Sequence, residues 1–340
     1  MVWQRTILKW HLVLCEIFFN HTYLLGLCML NRSLKVSVVV PSYNSGKYIK
    51  KCLVSVLKQT IQDFEIVVVD DCSKDDTVSV VQGLKDSRIK IFKNEENRGP
   101  SYSRNKAIEN SCGEWIAFLD SDDWFSPQRL EKLLSLGEET GAEIVADDIF
   151  LIEDNEEKPW GTNLSQQNFK KIESIDVVKY VGMDCGVQPM IKAEFLRENK
   201  IRFDESYKNG EDFLLLVNCL LLKARFFITT DPYYYYRKRR GSLTTEKING
   251  ANQKYEILKN LLDDGNVLHN TALENTIKYK MHKVEQSIKY HQVVEPLKKG
   301  DYVKSFKNLV KNPKVLIFVL VCLPKIIRLK IRKNLLLESS

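Results

Sequence analysis

Residues 36–44 read VSVVVPSYN and residues 64–77 read FEIVVVDDCSKDDT. Each opens as an unbroken β-branched apolar run and stops abruptly in polar or acidic residues. An apolar run without alternation predicts a strand covered on both faces, as in a parallel sheet. Between the two runs, apolar residues recur at helical spacing over 48–57, the signature of a crossover helix. The pattern repeats outward from this pair. Strands are expected at 36–40, 64–69, 88–92, 115–119 and 143–146, and helices at 48–57, 77–84, 101–109 and 127–136. This alternation predicts an α/β domain with a mostly parallel sheet and right-handed crossovers.

Ligands of such open sheets bind beyond the carboxyl ends of the strands. Three segments fall there: Pro41 to Asn44, Asp70 to Ser73, and Asp120 to Asp123. Asp120-Ser121-Asp122 offers two carboxylates beside a turn, with no His or Cys adjacent. Such a pair suits a hard divalent ion, or equally a strand-end turn whose aspartates cap the next helix. Tyr43 is placed to stack a planar base and Asp71 to accept from it. A core tyrosine and a local Asx-turn are the structural alternatives. No G-x-G-x-x-G follows the first strand and no G-x-x-x-x-G-K-[ST] occurs, which argues against dinucleotide-binding and P-loop enzymes.

Beyond residue 150 the alternation weakens. A polar loop is expected at 153–158, strands at 187–191, 226–229 and 233–237, and a helix over 211–223. Glu211-Asp212 opens that helix, where the macrodipole favours carboxylates; either could also serve as a general base. The run Tyr233 to Tyr236 is followed by Arg237, Lys238, Arg239 and Arg240, cations available to a phosphate or simply a solvated loop. From 246 onward the sequence is helical in pattern and rich in lysine. The expected organisation is an N-terminal extension at 1–33, an α/β domain at 34–245 and a helical region at 246–340.

The 340 residues are 44% apolar and 28% charged, enough for one large α/β domain plus an appendage. The composition excludes collagen-like, disordered and disulfide-dense chains. A net charge of +7 points to an anionic partner but is too small to indicate nucleic acid. The eight cysteines form no C-x-x-C pair, so no zinc site is expected and reduced thiols are the economical reading. At the start of the chain, Lys9, His11, Glu16, Asn20 and His21 interrupt an apolar stretch that falls short of the roughly 18–20 residues of a spanning helix and makes a poor signal peptide. It reads as an interfacial helix, or as an over-long start with Met29 as the true first residue. Near the end, the apolar run 315–323 leads through Pro324 into KIIRLKIRK (325–333). Leu323, Ile326, Ile327 and Ile331 share one face of a basic amphipathic helix, a pattern that lies on an anionic leaflet; a last helix packed on the domain is the alternative.

Together these segments resemble the inverting family 2 glycosyltransferases of the GT-A fold, a Rossmann-like nucleotide-diphospho-sugar transferase architecture, over about 36–244. VSVVVPSYN is similar to the family's opening strand and turn. VVVDDCSKDDT is similar to its V-D-D-x-S-x-D-x-T segment, with Cys72 where glycine is commoner. Asn97-Arg98-Gly99 with Ser103-Arg104-Asn105 resembles its N-x-G…A-R-N stretch, Ser103 replacing alanine. Phe118 to Trp124 resembles the D-x-D strand end, and Ile201 to Glu205, Gly210-Glu211-Asp212 and Tyr236 to Ser242 its later motifs.

The resemblance implies a UDP-sugar donor, with UDP-glucose or UDP-galactose favoured, and Mn2+ or Mg2+. It implies that Pro41, Tyr43 and Asp71 hold the uridine, and that Asp122 ligates the metal with help from Asp120. Arg104 and Arg237 would lie near the phosphates, Asp212 would be the catalytic base, and Glu211 would shape the acceptor pocket. The implied acceptor is lipid-linked or a polysaccharide, in bacterial O-antigen, capsule or lipopolysaccharide synthesis at the cytoplasmic face of the inner membrane, peripherally bound, with no nucleic acid partner. A non-catalytic nucleotide-sugar-binding scaffold is the competing class, as is sugar transfer to protein or simple lipid. A nucleotidyltransferase would need a glycine-rich basic loop after the first strand, and none is present.

Overall fold

The computed structural model describes residues 34–183, 185–239 and 247–313, together with Val315. The expected N-terminal extension, the boundary near 245 and the basic segment at 325–333 lie outside the described residues. The β-branched runs form strands because their side chains pack on both sides of a pleated surface. In chain order the first half contains β1 (Val36–Ser42), α1 (Gly46–Leu57), β2 (Phe64–Asp70), α2 (Thr77–Gly83), β3 (Ile89–Lys93), α3 (Pro100–Glu109), β4 (Trp115–Phe118), β5 (Trp124–Phe125) and α4 (Arg129–Thr140). There follow β6 (Ile144–Glu153), β7 (Gly161–Thr162), β8 (Ile172–Ile175), α5 (Val177–Gly182), β9 (Met190–Lys192), α6 (Ala193–Glu198), α7 (Glu211–Leu221) and β10 (Phe226–Lys238). Four helices end the described chain: α8 (Lys247–Leu262), α9 (Gly265–Leu268), α10 (Thr271–Lys298) and α11 (Tyr302–Lys311).

The main path of the sheet runs β3-β2-β1-β4-β9-β6-β10-β5. Strands β3, β2, β1 and β4 are mutually parallel. β9 then enters antiparallel to both β4 and β6, and β10 returns parallel to β6. Alternate residues of β1 serve opposite cores. Val36, Val38 and Val40 pack with Ile49, Leu53 and Val56 of α1, whereas Val39 joins Val67, Val69 and Ala107 on the other face. Each such fully buried side chain contributes about 1.5–3 kcal/mol, which is why the sequence carries no polar alternation here.

Most expected strands and helices of the first 150 residues occur within a few positions of their predicted limits. Two differences matter for the site. β6, expected only at 143–146, continues to Glu153, the first residue of the expected polar loop, because it pairs along its length with β10. The two short strands expected at 226–229 and 233–237 are one strand, β10, whose register against β6 shifts on either side of Pro232. Proline has no N–H for the ladder, and a bulge absorbs the missing bond. The short β5, β7 and β8 and the helices α5 and α6 were not expected; elements of two to six residues carry too little periodicity to read. Among the described thiols, Cys52, Cys72 and Cys219 are free, but Cys112 is disulfide-bonded, which corrects the expectation of reduced cysteines throughout.

Behind the carboxyl end of the sheet lies a fully buried ion pair. Arg129 and Asp147 are both completely enclosed. The guanidinium donates from Nη2 to Asp147 Oδ1 at 2.8 Å and to the Gln188 carbonyl at 2.6 Å. Asp147 Oδ2 also accepts from the Tyr233 N–H at 3.1 Å. Burial pushes the Asp147 carboxyl upward, and Arg129 opposes that shift. The pair fastens α4 to β6 and to the bulged part of β10. Replacing one partner leaves an uncompensated buried charge, which costs about 3–5 kcal/mol, while an apolar pair of similar volume is close to neutral. We therefore expect Asp147→Ala to lose about 3–5 kcal/mol in urea unfolding, with most of it recovered in Arg129→Met/Asp147→Leu. A single variant as stable as the wild type would remove this role.

Candidate active site

The first strand delivers its chain end to the cleft. Tyr43, just past β1, is 46% exposed, so it is an open aromatic face and not a core residue. Ser45 Oγ lies 2.6 Å from Ser121 Oγ, which ties the loop after β1 to the turn after β4. At the end of β2, Asp71 is buried. Its Oδ1 accepts from Asn94 Nδ2 at 2.8 Å and from the Arg98 N–H at 2.9 Å, and its Oδ2 accepts from the Gly99 N–H at 2.7 Å. Asp71 therefore organises the loop that starts α3. Next to it, Cys72 adopts φ +63°, the left-handed region in which glycine is at ease. That backbone explains why glycine is commoner at this position in the resembling family.

The acidic turn after β4 is held by β10. The Asp123 N–H closes it onto the Asp120 carbonyl at 3.0 Å. Asp123 is almost completely buried and faces inward. Its Oδ2 accepts from the Tyr234 hydroxyl at 2.7 Å and its Oδ1 from the Arg237 N–H at 2.7 Å. Burial, with Asp122 and Asp120 nearby, pushes its carboxyl well upward. Arg237, expected beside donor phosphates, is buried and holds the turn: Nε donates to the Asp122 carbonyl at 2.9 Å, and Nη1 pairs with Asp154 at 3.3 Å. Its guanidinium also lies over the Trp124 and Tyr48 rings. Arg239 pairs through Nε with Asp122 Oδ2.

On the far side of the cleft, Asn105 of α3 grips an extended segment. Its side chain accepts from the Phe203 N–H and donates to the Phe203 carbonyl, both at 2.9 Å, and to Glu205 at 3.0 Å. The chain then reaches Gly210, where φ is +87° and an added Cβ would come 2.9 Å from Ile257 Cδ1. Only glycine fits that turn without strain, and it aims the start of α7 into the cleft.

Arg104 joins the two sides. Its side chain is only 6% exposed. Nη2 bonds Asp120 Oδ1 at 2.8 Å, Nη1 bonds Glu211 Oε1 at 2.9 Å, and Nη1 lies 3.7 Å from Asp212 Oδ1. One guanidinium thus spans the acidic turn of β4 and the first turn of α7, groups about 90 residues apart in sequence. Burial works against the arginine's charge, but Asp212, Asp120 and Glu211 outweigh it and hold it firmly protonated. Asp212 is the carboxylate left least enclosed. Desolvation pushes it up to about 7, with Arg104 opposing and Glu211 and Asp120 adding. Because 43% of its side chain is open, cleft water moderates the displacement.

A divalent ion has a chemically apt pair of donors here. Burial raises the Asp122 carboxyl, and the neighbouring Asp120 charge raises it further, a repulsion that a bound cation relieves. Both groups are hard oxygen donors of the kind magnesium and manganese accept. Among the described residues no group of three or more His, Cys, Asp or Glu is arranged to hold a metal ion by itself. Each of the two already carries an arginine partner, Arg104 on Asp120 and Arg239 on Asp122, so an ion held here would take its remaining ligands from phosphate oxygens and water.

Sequence reasoning named Asp120, Asp122, Arg104, Glu211 and Asp212, and the structure brings them together. It did not foresee that Asp123, Tyr234 and Arg239 fix the acidic turn, nor that Asn105 clamps the segment at Phe203. The third acid of the D-S-D-D run was the one visible signal for Asp123.

Residues 37–198 match the family model described as Glycosyl transferase family 2. A succinoglycan biosynthesis protein, ExoO, of Rhizobium meliloti is 31% identical over 202 residues, covering 56% of this chain and 57% of that protein. A poly(ribitol-phosphate) beta-glucosyltransferase of Bacillus spizizenii is 31% identical over 195 residues, covering 55% of this chain and 30% of that protein. The chain thus spans under two thirds of the length of either relative. Among solved structures, Staphylococcus aureus TarS 1–349 in complex with UDP-GlcNAc superposes with a TM-score of 0.61 at 22% identity, covering 80% of this chain and 89% of that one. That likeness shows the fold. With the strand-end acids, the buried arginine and the α7 carboxylates gathered at this end of the sheet, residues 37–198 are a segment similar to glycosyl transferase family 2, on the fold of the TarS structure.

Proposed function

We propose that this chain is an inverting glycosyltransferase that moves a hexose from a UDP-sugar to a hydroxyl of a lipid-linked or polysaccharide acceptor in bacterial surface-polysaccharide synthesis. The observation that carries the reading is the Arg104 bridge, which brings Asp120 and Asp212 to one guanidinium. Leaving-group stabilisation and proton removal must act on opposite sides of the same anomeric carbon. The bridge sets the acidic turn after β4 beside the start of α7, and in this reading the donor lies with its diphosphate toward the turn and its anomeric carbon toward Asp212. The named relatives, a succinoglycan biosynthesis protein and a poly(ribitol-phosphate) glucosyltransferase, support the class of acceptor. UDP-glucose or UDP-galactose is our first choice of donor.

In this reading the uracil stacks on the exposed face of Tyr43, beside the backbone of Pro41 and the Asp71-organised loop. Asp122, with Asp120, would hold a magnesium or manganese ion, which when bound screens the charge developing on the diphosphate. Arg104 keeps Asp120 fixed and its charge close to Asp212. Glu211, buried against Arg104, sets the angle at which the start of α7 meets the acceptor. The acceptor oxygen attacks the anomeric carbon from the Asp212 side, and its proton passes to the Asp212 carboxylate. The bond from the anomeric carbon to the phosphate oxygen breaks, and UDP leaves with the electron pair. Inversion follows from attack opposite the leaving group.

Three outcomes test this. Asp212→Asn should lower kcat by about 10²–10⁴-fold, the usual contribution of a general base, while UDP binding stays near the wild-type value; undiminished turnover would remove Asp212 from the reaction. The base form of Asp212 predominates above its pKa, so kcat/KM should rise with pH through a limb near pH 7 and then level off; a rate flat from pH 5 to 9 would contradict a titrating base. Asp122→Ala should weaken manganese-dependent UDP binding in calorimetry at least tenfold, about the 1.4 kcal/mol that one lost contact is worth. A donor screen of UDP-glucose, UDP-galactose and UDP-N-acetylglucosamine, read as UDP release with and without manganese, tests the reading as a whole.

A further inference from the structure

α11 is mounted with its polar edge inward. Asp301 caps the start, Oδ1 accepting from the Lys304 N–H at 2.9 Å. Ser305 Oγ donates to the Val293 carbonyl of α10 at 2.8 Å, and Asn308 Nδ2 donates to the Gln292 carbonyl at 2.8 Å. These bonds fix the helix by its serine and asparagine side. At 100° per residue, Tyr302, Val303, Phe306 and Val310 then fall on one outward stripe, and each is 64–69% exposed. Lys304, Lys307 and Lys311 are also exposed and lie beside that stripe. No acidic residue occurs between 302 and 311. A helix that folded only to support the domain would bury its apolar face and solvate its polar one. α11 does the reverse.

We propose that the Tyr302–Val303–Phe306–Val310 face of α11 docks the protein onto an anionic lipid bilayer, the side chains entering the headgroup boundary and Lys304, Lys307 and Lys311 meeting lipid phosphates. Helices with an apolar stripe beside a lysine face lie in the plane of such interfaces, and juxtaposed cations strengthen binding to anionic lipid. Charge favours this occupant over a second copy of the chain and over residues 325–333. A second copy docked on the same face would bring two lysine rows together. Residues 325–333 of this chain carry five cations and no acid, so they too would repel those lysines, whereas both stretches are attracted to one anionic surface. No helix of the described residues is long and apolar enough to cross a membrane, in keeping with a surface contact. This inference stands independently of the sugar-transfer reading.

Flotation of the full chain with vesicles of phosphatidylcholine alone, or mixed with phosphatidylglycerol, tests the assignment. The wild type should float with the anionic vesicles and be released by salt. Val303→Ser/Phe306→Ser should cut the bound fraction tenfold or more, and Lys304→Gln/Lys307→Gln should weaken binding and flatten its salt dependence. All four positions are solvent-exposed, so the variants should melt with the wild type and release UDP from soluble donor at its rate. Wild type that fails to float, or serine variants that float equally well, would overturn the proposal. So would sedimentation showing that the serine pair dissociates a dimer. Loss of UDP release in the wild type, with flotation intact, would count against the sugar-transfer reading alone.

Discussion

A single buried guanidinium sets the geometry of this site. Arg104 sits between Asp120 on the sheet and Glu211 and Asp212 at the start of α7, and three carboxylates could not gather there without it. Bringing acids together out of water is costly unless a cation is bonded among them. The arrangement is asymmetric in a useful way. Glu211 is enclosed and directly bonded, while Asp212 is farther from the arginine and open to the cleft. The first is a strut bonded to the guanidinium, and the second stands beside it with its carboxyl pushed upward by desolvation.

Around that centre, other contacts serve to hold the acidic turn still. Tyr234 reaches across from β10 to Asp123 and accepts the Asp120 N–H at 3.3 Å, and Arg237 grips the turn from its backbone side. Trp124, Tyr235 and Phe150 stack in sequence, with ring centroids 5.0 and 4.7 Å apart, beneath the Lys51 ammonium over Trp124. These interactions lie on elements that are themselves anchored by the buried Arg129–Asp147 pair. Rigidity passes from a core ion pair, through β10, to the acidic turn after β4.

The first four parallel strands were legible because a strand buried on both faces leaves an unmistakable apolar run. The strand-end carboxylates were legible because acids have no place in such a core. What the sequence concealed were partnerships between distant residues. Arg237 and Arg239 look alike in a basic run, yet the first is packed between aromatic rings and bonded to a carbonyl, and the second reaches the Asp122 carboxylate. Tyr234 is hidden among four consecutive tyrosines, and nothing local marks it as the one whose hydroxyl points at Asp123. The strands expected at 226–229 and 233–237 lie on either side of Pro232, and pairing with β6 carries the chain through it as a bulge. The exposed side of α11 was invisible for the same reason, since periodicity shows that a helix has an apolar stripe but not which side it turns to the protein.

The central claim is that a cation-binding turn and a proton-accepting carboxylate confront one another across a single donor site. Anomalous diffraction from crystals grown with manganese and a UDP-sugar measures this directly. The account predicts a manganese peak at the Asp122 carboxylate, with the sugar ring lying between that ion and Asp212. A manganese peak on a different surface, or a donor whose anomeric carbon faces away from α7, would contradict it.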